Sequence, residues 1–155
     1  MLPITKWPPA FSMLFSRGAA VGSFLTCLLL VGCDNSGRVQ VTGTVGFNDG
    51  GIPQGEVSMI RFEPASYAKT SDSEVRKGAY GYIQPDGSFR MTTLKPDDGV
   101  YPGTYKVCFT VLKSYQSGEP LIPRKYMSKK TTPFEQTINE TTQGLHFELE
   151  KLPGK

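Results

Sequence analysis

Gly103-Thr104-Tyr105-Lys106-Val107-Cys108-Phe109-Thr110-Val111 is the stretch that decides the fold. Tyr105, Val107, Phe109 and Val111 recur at every second position, with Lys106, Cys108 and Thr110 between them, so the segment has the period of a strand with one apolar face. Pro102-Gly103 supplies the turn that leads into it. The same alternation appears on either side. Val39, Val41, Val45 and Phe47 alternate with Gln40, Thr42 and Thr44 until the turn Asn48-Asp49-Gly50-Gly51. Leu145, Phe147 and Leu149 alternate with His146, Glu148 and Glu150, and Phe134 to Ile138 supplies a further strand. Val57 and Met59 are followed by Ile60 and Phe62, a change of phase that predicts burial on both faces or a bulge near Arg61. Tyr80, Tyr82 and Ile83 lead through Gln84-Pro85-Asp86-Gly87 into Phe89 and Met91, a predicted hairpin. No stretch after Arg38 has helical spacing. Six or seven short strands punctuated by turns predict an all-β domain over residues 38–152, an antiparallel two-sheet sandwich of about seven strands.

A chain of 155 residues, 38% hydrophobic and 20% charged, suits one such domain and excludes a multidomain enzyme. Of the 17 Lys and Arg residues, Lys6 and Arg17 precede the domain, which leaves 15 bases against 14 acids. That balance excludes nucleic acid as a partner, because neutralising phosphates needs a concentrated basic face.

Residues 1–32 have the order of an export signal: Lys6 and Arg17, then an uncharged apolar core from Gly18 to Gly32 containing Phe24-Leu25 and Cys27-Leu28-Leu29-Leu30. The core is shorter than the roughly 20 residues that a helix needs to cross the hydrocarbon layer. It ends at Leu30-Val31-Gly32-Cys33, which resembles the lipobox of bacterial lipoproteins. That resemblance implies a thioether-linked diacylglycerol on Cys33, cleavage after Gly32 and acylation of the new amino terminus. Residues 33–37 would then be the lipidated cysteine and a short polar tether. Two or three chains make the anchor stable, since each buried methylene contributes about 0.8 kcal/mol. The expected location is a bacterial membrane, on its periplasmic or outer side; Asp34, directly after the cysteine, matches an inner-membrane retention rule of some enterobacteria and leaves the choice of membrane open. An ordinary secretory signal with a coincidental cysteine is the alternative, and Met13 serves equally well as the start. Cys27 departs with the leader, so Cys108 is left alone, either buried and inert or an intermolecular linker.

The domain also resembles the small transthyretin-like, carboxypeptidase-regulatory-like lipoproteins of planctomycete bacteria. The matching segments are Val41-Thr42-Gly43-Thr44-Val45, Asp86-Gly87-Ser88-Phe89, Pro102-Gly103-Thr104-Tyr105-Lys106-Val107, Ile122-Pro123-Arg124-Lys125-Tyr126 and Phe147-Glu148-Leu149. The resemblance implies a prealbumin-like sandwich held by lipid, and it brings no settled activity. Purine-pathway hydrolases share the fold but use several histidines and a C-terminal Tyr-Arg-Gly-Ser signature. This chain has a single histidine, His146, and ends Lys151-Leu152-Pro153-Gly154-Lys155.

A nucleophilic site needs a hydroxyl or thiol, a His base and an orienting acid. Alternation places His146 on the polar face with Glu148, which predicts a surface histidine; a pocket collecting it with an acid and a hydroxyl would revive an enzyme reading. One histidine and one thiol do not complete a structural zinc site, and the acidic pairs Asp97-Asp98 and Asp72-Glu74 lack the density of a calcium loop. No catalytic residue, metal or cofactor is expected. The surplus of charge lies in residues 113–132, where Lys113, Arg124, Lys125, Lys129 and Lys130 stand against Glu119. Tyr115 and Tyr126 accompany them. One reading is a solvated crossover between the sheets, stapled by Ile122, Pro123 and Tyr126. The other is a contact surface for an anionic partner, with Tyr115, Arg124, Lys125, Tyr126, Lys129 and Lys130 as its residues. The expectation is thus a membrane-anchored, non-catalytic binding or assembly module of the cell envelope. Its partners would be an envelope protein or polysaccharide; carbohydrate or anionic-polymer binding through residues 113–132 is the alternative.

Overall fold

Val41 and Val45 are buried while Thr44 between them is exposed, and the same alternation organises each strand of the computed structural model, which describes residues 37–66 and 77–153. The described residues belong to one unit, Asp34–Lys155. The expectations for the leader, for Cys33 and for the tether up to Ser36 lie outside them.

Seven strands occur in the order β1 (Val41–Phe47), β2 (Val57–Pro64), β3 (Ala79–Tyr82), β4 (Ser88–Arg90), β5 (Gly103–Leu112), β6 (Glu135–Ile138) and β7 (Thr142–Leu149). They form two sheets, β4-β1-β7 and β3-β2-β5-β6. The architecture is the expected all-β sandwich with one departure from antiparallel order: β1 and β7 run parallel. Gln143-Gly144 adds an extra residue to that pairing, so Val41 faces Thr142 but Gly43 faces Leu145, and Gly144 takes φ +72°.

Ile60, Phe62, Tyr105, Val107, Phe109 and Val111 from the four-stranded sheet meet Val41, Val45, Phe89, Phe147 and Leu149 from the other. Gly43 marks the tightest approach within β1. A Cβ there would lie 2.2 Å from the Leu145 carbonyl oxygen and 2.7 Å from Phe89 Cζ, so no larger residue fits.

Three expectations require correction. The phase change near Arg61 produces neither a bulge nor burial on both faces, because β2 pairs with β5 without interruption from Val57 to Pro64. Ser58, Ile60, Phe62 and Pro64 point inward, and Val57 and Met59 are half-covered on the outer face. Ser58 tolerates the interior because its hydroxyl accepts the Gly55 N–H at 2.9 Å. Residues 79–91 are likewise not a simple hairpin: the turn at Gln84–Gly87 carries the chain from one sheet to the other, with β3 pairing on β2 and β4 on β1. Finally, residues 113–132 are not a crossover between sheets. They join β5 to β6, adjacent in one sheet, and Leu112 bridges Pro120 on the way.

Candidate functional site

The residues between β5 and β6 fold back as a plug. Lys113 N–H bonds the Glu119 carbonyl at 2.9 Å, closing a small loop with Tyr115 at its exposed tip. After Leu121 returns to Val111, Ile122 enters the core and Arg124–Met127 form one 3-10 turn. Tyr126 is only 3% exposed; its ring stacks on Phe134 at 5.6 Å, and Phe134 in turn packs against Phe109 and Phe147. Tyr126 is therefore a core residue and is withdrawn as a contact for an external ligand. The reason is geometric: the turn inserts it between the edge of the four-stranded sheet and β7, where its hydroxyl accepts the Glu150 N–H.

The basic charges of the same segment are dispersed. Lys125 Nζ donates to Glu150 at 2.7 Å, an exposed pair whose hydrogen bond raises the lysine and lowers the carboxyl from their ordinary values. Lys113 pairs with Glu119 at 3.4 Å, and Lys129 Nζ donates to the Pro64 carbonyl. Arg124 and Lys130 stand exposed. Tyr115 projects from the separate loop. Of the six candidate residues, Tyr126 is buried in the core, and Lys125 and Lys129 are engaged by Glu150 and by the Pro64 carbonyl.

Cys108 lies on the outer face of the four-stranded sheet, paired in register with Arg61, and is fully buried and unbridged. Burial pushes its thiol upward, and the Glu63 carboxylate adds to the effect against Arg61 and Lys129. Arg61 donates to the Met127 carbonyl at 3.0 Å, which ties the 3-10 turn over this face. A thiol so placed is inert.

His146 and Glu148 occupy the polar face of β7 as expected. Thr44 Oγ1 lies 2.8 Å from His146 Nδ1, and His146 Nε2 lies 3.4 Å from Glu148. A hydroxyl, an imidazole and an acid are thus in line. The imidazole is 56% exposed and the carboxylate 63%, however, so water competes for each of them, whereas a working relay relies on a water-excluded, preorganised setting. The register Thr44↔His146 and the two-residue spacing to Glu148 place these groups together on any such sheet. They are a surface ladder.

A concave feature lies beside that ladder. A groove of about 790 Å³ runs over the outer face of β1 and β4 and along β3. Tyr80 and Tyr82 form its wall. Alternation in β3 turns Ala79 and Gly81 inward, so the tyrosines face solvent at 40% and 59% exposure. Their rings stand at 84° with centroids 6.0 Å apart, an L-shaped aromatic corner. Thr42, Thr44, Ser88 and Gln84 contribute hydroxyls and an amide, and Arg90 and Asp97, 3.8 Å apart, contribute one charge of each sign. Gly81, between the tyrosines, lets β3 approach the next strand closely: a Cβ there would lie 2.5 Å from the Arg90 carbonyl.

Backbone bonds hold the walls in place. Tyr80 exchanges two hydrogen bonds with Thr92, at 2.9 and 2.7 Å, and Gln84 N–H bonds Ser88 at 2.8 Å. Asp97 sits at φ +58°, a conformation unusual for a residue with a side chain, and is fixed there by its N–H to Thr92 Oγ1 and by Gln40 to its carbonyl. Beneath it Asp98 accepts N–H bonds from Thr93, Leu94 and Lys95 at 2.7, 3.0 and 2.8 Å and pairs with Arg38 at 3.3 Å. Burial raises the Asp98 carboxyl, but the backbone donors and Arg38 outweigh it and the net shift is downward.

The period-two reading counted Tyr80 and Tyr82 as apolar strand residues and so missed this wall. The available signal was Ala79-Tyr80-Gly81-Tyr82-Ile83, in which only the phase of Ala79, Gly81 and Ile83 is compatible with a tightly packed interior. No family model, curated protein or solved structure matches the chain.

Proposed function

We propose that the protein is an extracytoplasmic lipoprotein, anchored through Cys33, whose β-sandwich is a non-catalytic binding module of the cell envelope. The observation that carries the reading is the groove: a preformed concavity with two exposed aromatic rings on a rigid strand and few charges has the make-up of a recognition surface. The lipobox-like Leu30-Val31-Gly32-Cys33 supports the anchor. A tether of four residues between Cys33 and Arg38 extends at most about 3.5 Å per residue, which keeps the domain near the bilayer. Arg38 and Gln40, early in the domain, bond Asp98 and Asp97 at the rim of the groove, which supports a groove facing the anchored side.

Binding through residues 113–132, the other reading, is less favoured because Tyr126 is buried and two of the five bases are paired with acids. The test is crosslinking in intact cells followed by isolation of the membrane fraction. The account expects a membrane-bound, crosslinked wild-type protein and a Cys33→Ala variant that fails to mature and carries no lipid. An unlipidated, cytoplasmic wild-type protein with no crosslinked material would refute it.

A further inference from the structure

We infer that the groove walled by Tyr80 and Tyr82 binds a neutral glycan, with the two rings as the stacking corner for sugar rings. The inference rests on the reading of the protein as a binding module and adds the class of its ligand.

The lining chooses among ligand chemistries. An anionic polymer calls for surplus positive charge, yet Arg90 is balanced by Asp97 within the groove. A hydrophobic peptide anchor calls for an enclosed apolar pocket, whereas this groove is open and mixes Pro96 and the tyrosines with hydroxyls and an amide from Thr42, Thr44, Ser88 and Gln84. A strand added at the β3 edge would need the backbone groups of Tyr80, and these are already bonded to Thr92. A sugar ring fits what remains. It presents an apolar C–H face to an aromatic ring and equatorial hydroxyls that both donate and accept, which suits hydroxyl and amide partners, an accepting carboxylate and a donating guanidinium alike.

Geometry adds two points. Rings at 84° form a corner that takes one face of a sugar ring on one tyrosine and an edge on the other, so it suits a chain of sugar rings better than a single flat group. The corner is also preorganised: β3 is held by β2 on one side and by Thr92 on the other, and Asp97 is held at its positive φ by two bonds. Little side-chain freedom is lost when a ligand arrives, because tyrosine has only two side-chain torsions.

The test uses the full-length protein in detergent micelles against four neutral probes: laminarin, mannan, hydroxyethyl cellulose and chitohexaose. Affinity electrophoresis and calorimetry read the binding. The expected result is binding to at least one probe that persists in about 0.5 M salt. Tyr82→Ala and Tyr80→Ala should each weaken it by about tenfold or more, while Tyr82→Phe, which keeps the ring, retains it. Lys125→Glu combined with Lys130→Glu should leave it unchanged. Both tyrosines are exposed, and an unaltered circular dichroism spectrum checks that the variants fold. Absence of binding to all four probes, binding indifferent to the tyrosines, or binding abolished by salt would each overturn the inference. A protein crosslinked through the groove in cells, with no glycan bound in vitro, would overturn it while leaving the proposed function standing.

Discussion

Replacing Asp98 by Ala tests whether the rim of the groove is built by this one carboxylate. The side chain is 6% exposed and holds four partners: the N–H groups of Thr93, Leu94 and Lys95, and the guanidinium of Arg38, itself 9% exposed. Removing a partner from a buried ion pair costs about 3–5 kcal/mol, and each hydrogen bond to a charged group contributes about 1.5–3 kcal/mol. The Leu94 and Lys95 N–H groups lie at the surface and regain water, and Arg38 keeps the Asp98 carbonyl and the Tyr101 hydroxyl. The net loss is therefore set at about 3 kcal/mol, near the lower end of the range for a buried pair. For a domain of this size that corresponds to a melting temperature lower by about 10 °C. Thermal unfolding of the full-length protein followed by circular dichroism measures it. The pH dependence supplies a second reading. The carboxyl is lowered in the folded state, so its contribution is complete above the unfolded value near 4 and is lost as pH falls through the folded value. The gap in melting temperature between wild type and Asp98→Asn should accordingly be full at neutral pH and close in strong acid. A drop smaller than about 2 °C for Asp98→Ala, or a gap that stays constant into strong acid, would refute the reasoning.

Gly43→Ala should lower stability by about 3 kcal/mol, seen as a shifted urea midpoint, because the added Cβ meets the Leu145 carbonyl and the Phe89 ring; an unchanged midpoint contradicts the close approach in β1. Cys108 should resist iodoacetamide in the folded protein at pH 8 and react on unfolding, and a thiol modified at the same rate in both states contradicts its burial. His146→Ala should leave both the melting temperature and groove binding unaltered, since the imidazole is exposed and sits outside the groove lining; loss of binding would draw the Thr44–His146 ladder into the site. Lys125→Ala should likewise melt with wild type, its ion pair with Glu150 being open to solvent.

The all-β sandwich was legible because Val41, Val45, Tyr105, Val107, Phe109, Phe147 and Leu149 each mark an inward face by alternation alone. What alternation does not encode is which strand lies beside which. Tyr80–Met91 has the turn chemistry of a hairpin, yet β3 and β4 divide between two sheets, and β1 finds β7 in parallel across almost the whole domain. Phase was the second limit. Residue type does not fix the face: Val57 and Met59 suggest burial on both faces of β2 yet lie on its outer side, and Tyr80 and Tyr82, placed in a strand without a face, point to solvent. Ser58 and Pro64 went the other way, the serine because a local hydrogen bond at Gly55 satisfies its hydroxyl. The partners of the basic segment were hidden for a related reason: net charge is a property of composition, whereas Glu150 and the Pro64 carbonyl, distant in sequence, receive two of its lysines, and Tyr126 serves the core.

The central claim is that recognition occurs in the groove beside Tyr82. Benzoylphenylalanine, a photo-crosslinking residue that keeps an aromatic ring, placed at position 82 of the lipidated protein in intact cells tests it most directly, with the same substitution at position 115, on the basic segment, as the comparison. The account predicts a discrete envelope adduct from position 82 and none from position 115. Adducts from position 115 alone, or none from position 82, would contradict it.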